Sequence, residues 1–172
     1  LDLLYSVDGS EPSTTYNQPF LVENAITLTV RSYDPTTEES SEVLTENLGP
    51  SKALWKADQE EGIDEKASTF VTLDQNVFSV DLGEVKAIKG FSYLPMQARY
   101  PSGHITNFSF SISADGKNWK EVSSGEFSNV VNSPVEQLKR FNPVNARYIQ
   151  LKALKTADGK AATLAELGIL TR

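Results

Sequence analysis

The sequence predicts an all-β protein arranged as an antiparallel sandwich or barrel, and three observations predict it. Apolar and polar residues alternate at period two in several separate stretches. Turn signals such as Asp-Gly, Gly-Pro and Ser-Pro recur between those stretches, and no helical pattern of about ten residues intervenes.

The first clear strand is "AITLTVRSY", where Ile26, Leu28 and Val30 share one face and Thr27, Thr29 and Arg31 the other. The same alternation places Phe78, Val80 and Leu82 together in "VFSVDLG", Phe108, Phe110 and Ile112 in "TNFSFSIS", and Ile149, Leu151 and Ala153 in "YIQLKAL". Each reads as a strand with one wet face. Turns are expected at Asp8-Gly9, Asp34-Pro35, Gly49-Pro50, Pro101-Ser102-Gly103, Asp115-Gly116, Ser133-Pro134 and Asp158-Gly159. The acidic stretch around 58 to 66 reads equally as a short helical turn or a solvated loop.

A boundary is expected near "ENLGPSK", because "DPTTEESSE" upstream is polar and repetitive while the apolar density rises downstream. The split at about residue 48 gives a small β unit, 1–48, and a sandwich, 49–172. A unit of about 40 to 60 residues holds little core alone, so the front one is expected to lean on something.

The hairpin "SISADGKNWKEV" singles out Trp119. Asp115-Gly116 supplies the positive φ of a tight turn, and Ser113 is placed to bond back to the turn backbone. Trp119 reads as a plug for the core, which requires a bulge before Val122 if both are to face inward.

Composition narrows the function. Hydrophobic residues make up 39% and charged residues 23% of 172, as in globular proteins. Sixteen basic against 23 acidic residues give a net charge of −7, which opposes binding to nucleic acid and docking on anionic lipid. No run approaches the roughly 18 apolar residues of a membrane helix, so no membrane insertion is expected. The chain has no cysteine, which removes disulfides, thiolate catalysis and cysteine-held zinc. Its single histidine, His104, follows a glycine and reads as a surface residue. The opening "LDLLYSV" already reads as a strand, so the chain is expected to be a fragment whose upstream part, including any export signal, is missing. Asp58, Glu60, Glu61, Asp64 and Glu65 crowd one stretch with no opposed partner, whereas glycoside hydrolysis needs two facing carboxylates in a cleft. They read as a solvated acidic face, and the fragment as non-catalytic.

The run "FSVDLGEVKAIKGFSYLPMQ", followed by "GHITNFSFSISADGKNWKEVSSGEF", "ARYIQLKAL" and "AELGIL", resembles the discoidin or coagulation-factor type C domain. The likeness is to the branch that serves as carbohydrate-binding modules on bacterial glycoside hydrolases. Its marks are Asp81-Leu82-Gly83 closing a strand, Tyr93-Leu94-Pro95, Ser113 with Asp115-Gly116 and Trp119, Ala146-Arg147-Tyr148, and Ala165-Glu166-Leu167. The resemblance implies a galactose-binding-domain-like antiparallel β-sandwich or jelly roll. The front stretch, with Tyr5, Asp8-Gly9-Ser10, Pro12 and Pro19, is similar to part of the small immunoglobulin-like domain at the C-terminal side of chitobiases and β-hexosaminidases, a spacer or brace.

Such modules bind at loops gathered at one end of the sandwich, here about 55–74, 96–104 and 155–164. The galactose-binding branch of the family has arginine, asparagine and aromatic residues where this chain has Met96, Ser102, Val71 and Ala161-Ala162, so its familiar site is absent or rebuilt. The remaining ligand candidates are Gln97, Arg99, Tyr100 and His104, with Trp55 and Phe70 from the first loop. Arg99 beside Tyr100 offers a guanidinium fork and a ring face; the competing reading is that Arg99 solvates the loop and Tyr100 packs beneath it. The resemblance also implies a structural calcium at Asp64, Thr69 and Glu166, although Lys66, two residues from Asp64, offers an ammonium that can displace the ion. The expected function is a non-catalytic carbohydrate-binding module of a secreted bacterial glycoside hydrolase such as a chitobiase, β-hexosaminidase or fucosidase. Its partners would be a glycan and the parent catalytic domain, and its location secreted, periplasmic or cell-surface. The alternative is a structural brace or protein-interaction domain without a sugar site.

Overall fold

A computed structural model of the chain describes residues 1–171. The chain divides into two compact units, Leu1–Ser51 and Lys52–Arg172, and the described residues contain strands and 3₁₀ turns but no α-helix.

The first unit is one antiparallel sheet of β1 (Asp2–Ser6), β2 (Thr14–Thr15), β3 (Ile26–Asp34), β4 (Glu39–Ser40) and β5 (Leu44–Leu48). β3 is its spine, pairing with β1 on one side and with β4 and β5 on the other. Its apolar contacts centre on Tyr5, stacked on Phe20 at 5.1 Å and edge-on to Tyr16 at 6.2 Å. Ile26, Leu28 and Val30 are only half-buried, whereas Thr29, expected on the wet face, is buried. The Asp8–Ser10 turn covers it, and the Thr29 hydroxyl donates to the Ser10 carbonyl at 2.6 Å.

The second unit contains β6 (Lys56–Ala57), β7 (Val71–Thr72), β8 (Val77–Leu94), β9 (Ile105–Ser113), β10 (Lys120–Glu126), β11 (Gln137–Thr156), β12 (Thr163–Leu164) and β13 (Glu166–Leu170). The main sheet runs β10-β9-β11-β8-β13, with β6 also on β8, and β12 pairs with β7; every pairing is antiparallel. The acidic stretch forms a single 3₁₀ turn, Glu60–Gly62.

β8 does not end at Asp81-Leu82-Gly83. Gly83 takes φ +80°, its N–H donates to Asp81 Oδ1 at 2.8 Å, and the strand bends there and continues. β11 is offset in register in the same region, between Arg140 and Val144 and again between Ala146 and Tyr148. The bends fold the sheet over its own apolar face. Phe78, Val80, Leu82, Phe108, Phe110, Ile149 and Leu151 are buried together with Phe91, Tyr93 and Leu167. Phe91 of β8 stacks on Phe110 of β9 at 4.1 Å although β11 lies between those strands in the sheet, so the contact spans the core.

The 113–118 turn is built as its residues imply. Gly116 takes φ +72°, and Ser113 Oγ accepts from the N–H groups of Asp115 and Gly116 at 3.2 and 3.0 Å. Trp119 differs from its reading as a core plug: it is half-buried and lies outside the core cluster, while Val122 packs against that cluster. The bulge lies between Glu121 and Ser123, so Val122 turns inward without taking Trp119 along.

Candidate functional site

At one end of the second unit, backbone bonds fasten three connecting segments to one another. Gly103 N–H donates to both oxygens of Asp158 at 3.2 Å, and Thr163 N–H donates to the Gly103 carbonyl at 2.9 Å. Ala157 N–H donates to the His104 carbonyl at 2.9 Å. The first loop joins them where Leu73 N–H donates to the Ala162 carbonyl at 2.8 Å and Ala162 N–H to Asn76 Oδ1 at 2.9 Å. Beneath this rim the Tyr93 hydroxyl donates to the Thr163 carbonyl at 3.1 Å and accepts from Ile105 N–H at 3.0 Å; burial pushes its pKa well above the ordinary phenol range. Surface loops therefore rest on a hydrogen-bonded frame.

On that rim Tyr100 is 79% exposed, and the Arg99 guanidinium lies 5.4 Å from its ring centroid. Tyr100 does not pack beneath the loop. Phe70, also exposed, stands beside Val71, whose strand pairs with Leu164. Gln97 is exposed, but its amide nitrogen donates to the carbonyls of Pro95 and Pro134, both at 2.7 Å, so it ties its loop to the 134 segment.

The other two ligand candidates belong to the interior. His104 is 4% exposed and its Nε2 lies 3.0 Å from the Met96 carbonyl oxygen, because a bridge to Thr163 draws the residue inward. Trp55 is 5% exposed and part of the core cluster, with the Lys52 ammonium 5.3 Å above its ring. Neither presents a surface to a ligand.

The calcium set does not fit the ion. Asp64 accepts from Thr69 Oγ1 at 2.9 and 3.0 Å and from Lys66 N–H at 2.9 Å. Glu166 accepts from Glu65 N–H at 3.1 Å through one oxygen and from the Lys52 ammonium through the other. Calcium gathers six to eight oxygens, and here a fixed positive charge already sits on the main carboxylate. The cation on Glu166 comes from Lys52, not from Lys66. Among the described residues no group of three or more acidic, histidine or cysteine side chains is placed to hold a metal. Burial raises the Glu166 pKa, outweighing the lowering by Lys52 and by Glu65 N–H.

Three shallow hollows bear on recognition. One of about 440 Å³ lies beside the rim and is lined by Asn76, Lys155, Thr156, Gly159 and Lys160. One of about 330 Å³ is lined by Asn107, Glu126, Phe127 and Val131. A third, of about 430 Å³, lies on the outer sheet face between Lys56, Asp58, Trp119, Tyr148 and Gln150. Arg99 and Tyr100 line none of these three; they project from the rim. Asn76 and Lys160 escaped the sequence reading because neither residue type stands out in a polar loop. The resemblance placed 155–164 among the binding loops and the turn chemistry of Asp158-Gly159 marked its middle, but neither singled out Lys160.

Comparison with known proteins adds the family context. The F5/8 type C domain family matches residues 36–167, and the family described as Fn3 associated matches residues 2–48. Among solved structures, CpGH89CBM32-5 from Clostridium perfringens, in complex with GalNAc-β-1,3-galactose, is 25% identical over 69% of this chain and 96% of its own, with a TM-score of 0.61. A glycoside hydrolase 29 family member from an unknown rumen bacterium is 30% identical over 60% of this chain and 18% of its own, with a TM-score of 0.54. The C-terminal domain of a chitobiase from Bacteroides fragilis is 21% identical over 71% and 96%, with a TM-score of 0.58.

Proposed function

The chain belongs to the F5/8 type C, or discoidin, domain family, and on that premise we propose that it is a carbohydrate-binding accessory module which recognises glycan at its loop rim. The observation that carries the reading is the Arg99–Tyr100 pair, an aromatic ring left 79% exposed with a guanidinium beside it on a hydrogen-bonded frame. A sugar presents a C–H patch that packs on such a ring and paired hydroxyls that suit a guanidinium fork. Relatives with solved sugar complexes support the ligand class: one holds GalNAc-β-1,3-galactose and another galactose. Met96 and Ser102 stand where the galactose-binding branch of the family has arginine and asparagine, so the contacts here are rebuilt around neighbouring side chains.

The domain is non-catalytic in this reading, and the protein that carries it is a secreted bacterial glycoside hydrolase. Support comes from the enzyme of which a like domain forms 18%, and from the chitobiase whose C-terminal domain is similar. A single shallow site binds weakly and acts by holding the attached catalytic domain near polymeric substrate. Isothermal titration against galactose-, N-acetylgalactosamine- and fucose-containing oligosaccharides is the test. Saturable heat with at least one is expected. Silence across the panel would overturn the reading in favour of a brace without a sugar site.

A further inference from the structure

We infer that Lys52 is this domain's built-in cation, its ammonium occupying the place where relatives would carry a calcium ion, so that the fold needs no divalent metal. Lys52 and Glu166 are 13% and 14% exposed at their side chains and lie 114 residues apart in sequence. The ammonium donates to Glu166 Oε1 and to the Leu167 carbonyl, the latter at 2.9 Å. Those are a carboxylate and a backbone oxygen, the donor types that a calcium ion gathers. The second Glu166 oxygen reaches Glu65 N–H, which binds the first loop to the same centre. The stem of Lys52 runs past Trp55, whose ring lies under the ammonium. One charge thus fastens the start of the second unit, the acidic loop and the β13 strand, the work a bridging ion would do. A divalent cation placed there would meet a fixed positive charge and carboxylates whose oxygens are already engaged.

Both tryptophans lie in the second unit, so their fluorescence reports its unfolding within the full chain. Melting should be the same in EDTA and in excess calcium, whereas calcium at about a hundred times its dissociation constant would raise the midpoint by about 10 °C. Terbium, a luminescent calcium substitute that Trp55 would sensitise, should give no saturable emission. Lys52→Met, which keeps the stem but removes the charge, should melt lower than the parent. Lys52→Ser should likewise melt lower and stay blind to calcium, because one freed Glu166 oxygen and the Leu167 carbonyl fall well short of a calcium ligand set. A parent chain that melts lower in EDTA or higher in calcium, or that binds terbium saturably, overturns the inference. So does a Lys52→Met chain that melts where the parent does. These readouts contain no sugar, so they stand or fall separately from glycan binding.

Discussion

Arg147 holds Asp81 with two parallel hydrogen bonds, Nε to Oδ1 at 2.9 Å and Nη2 to Oδ2 at 3.0 Å, at the point where β8 turns through Gly83. Asp81 also accepts from Gly83 N–H, so a single carboxylate joins the bend in β8 to the adjacent strand β11. Hydrogen bonding from Arg147 keeps its pKa below the ordinary carboxylate range.

Replacing Asp81 with Asn should cost about 1 kcal/mol at neutral pH, the upper end for a pair that is partly solvent-exposed. The folded pKa lies below the unfolded one, so the stabilisation is complete above the unfolded value and is lost as pH falls through the folded value. Urea unfolding of both proteins from neutral to acid pH should therefore show a gap that closes on acidification. Arg147→Lys should not restore the pair, because an ammonium cannot make both parallel bonds.

Gly103 should tolerate no side chain. Its φ is +68°, and a Cβ there would overlap the Ala161 carbonyl oxygen and crowd Thr163. Strain of about 1 to 3 kcal/mol comes from the backbone alone, before the rim is pushed apart. Gly103→Ala should lower stability by at least that much and weaken glycan binding as well, since Gly103 fastens the Tyr100 loop to Asp158 and Thr163. Thermal unfolding with titration on the same sample checks both.

Trp119→Ala should cost less than Phe110→Ala. Phe110 is fully buried and stacked on Phe91, a position where truncation costs about 3 to 5 kcal/mol. Trp119 is half-buried on the outer face beside Tyr148, and about 1 to 2 kcal/mol is expected. Equal losses in denaturant unfolding would place Trp119 in the core after all.

Local pattern carried the strands that line the core, because alternation records which face is buried: Phe78, Val80 and Leu82 all point inward. It failed where burial is decided at a distance. Asp81-Leu82-Gly83 has the chemistry of a strand end, and only the partner strand β11 makes it a bend. His104 and Trp55 are ligand-like residue types in loops, yet His104 is fixed by Met96 and Thr163 and Trp55 by the core. The Lys52–Glu166 pair spans 114 residues, so neither partner announces the other. At the rim, adjacency sufficed: Arg99 and Tyr100 are neighbours in the chain and in space.

That pair gives the sharpest functional expectation. Tyr100 is too exposed for its removal to matter to the fold, so Tyr100→Ala should change stability by less than about 0.5 kcal/mol. Loss of a ring under a sugar should cost about 1.4 kcal/mol of binding, a tenfold weaker association. Tyr100→Phe keeps the ring face and should bind nearly as the parent does. Arg99→Lys keeps the charge but not the planar fork, and should weaken binding to sugars with paired hydroxyls while leaving the melting temperature in place. Titration of the three variants with whichever oligosaccharide binds the parent separates the roles. Undiminished affinity in Tyr100→Ala would move recognition away from the pair, and the hollow lined by Asn76, Lys155 and Lys160 would then be the surface to test.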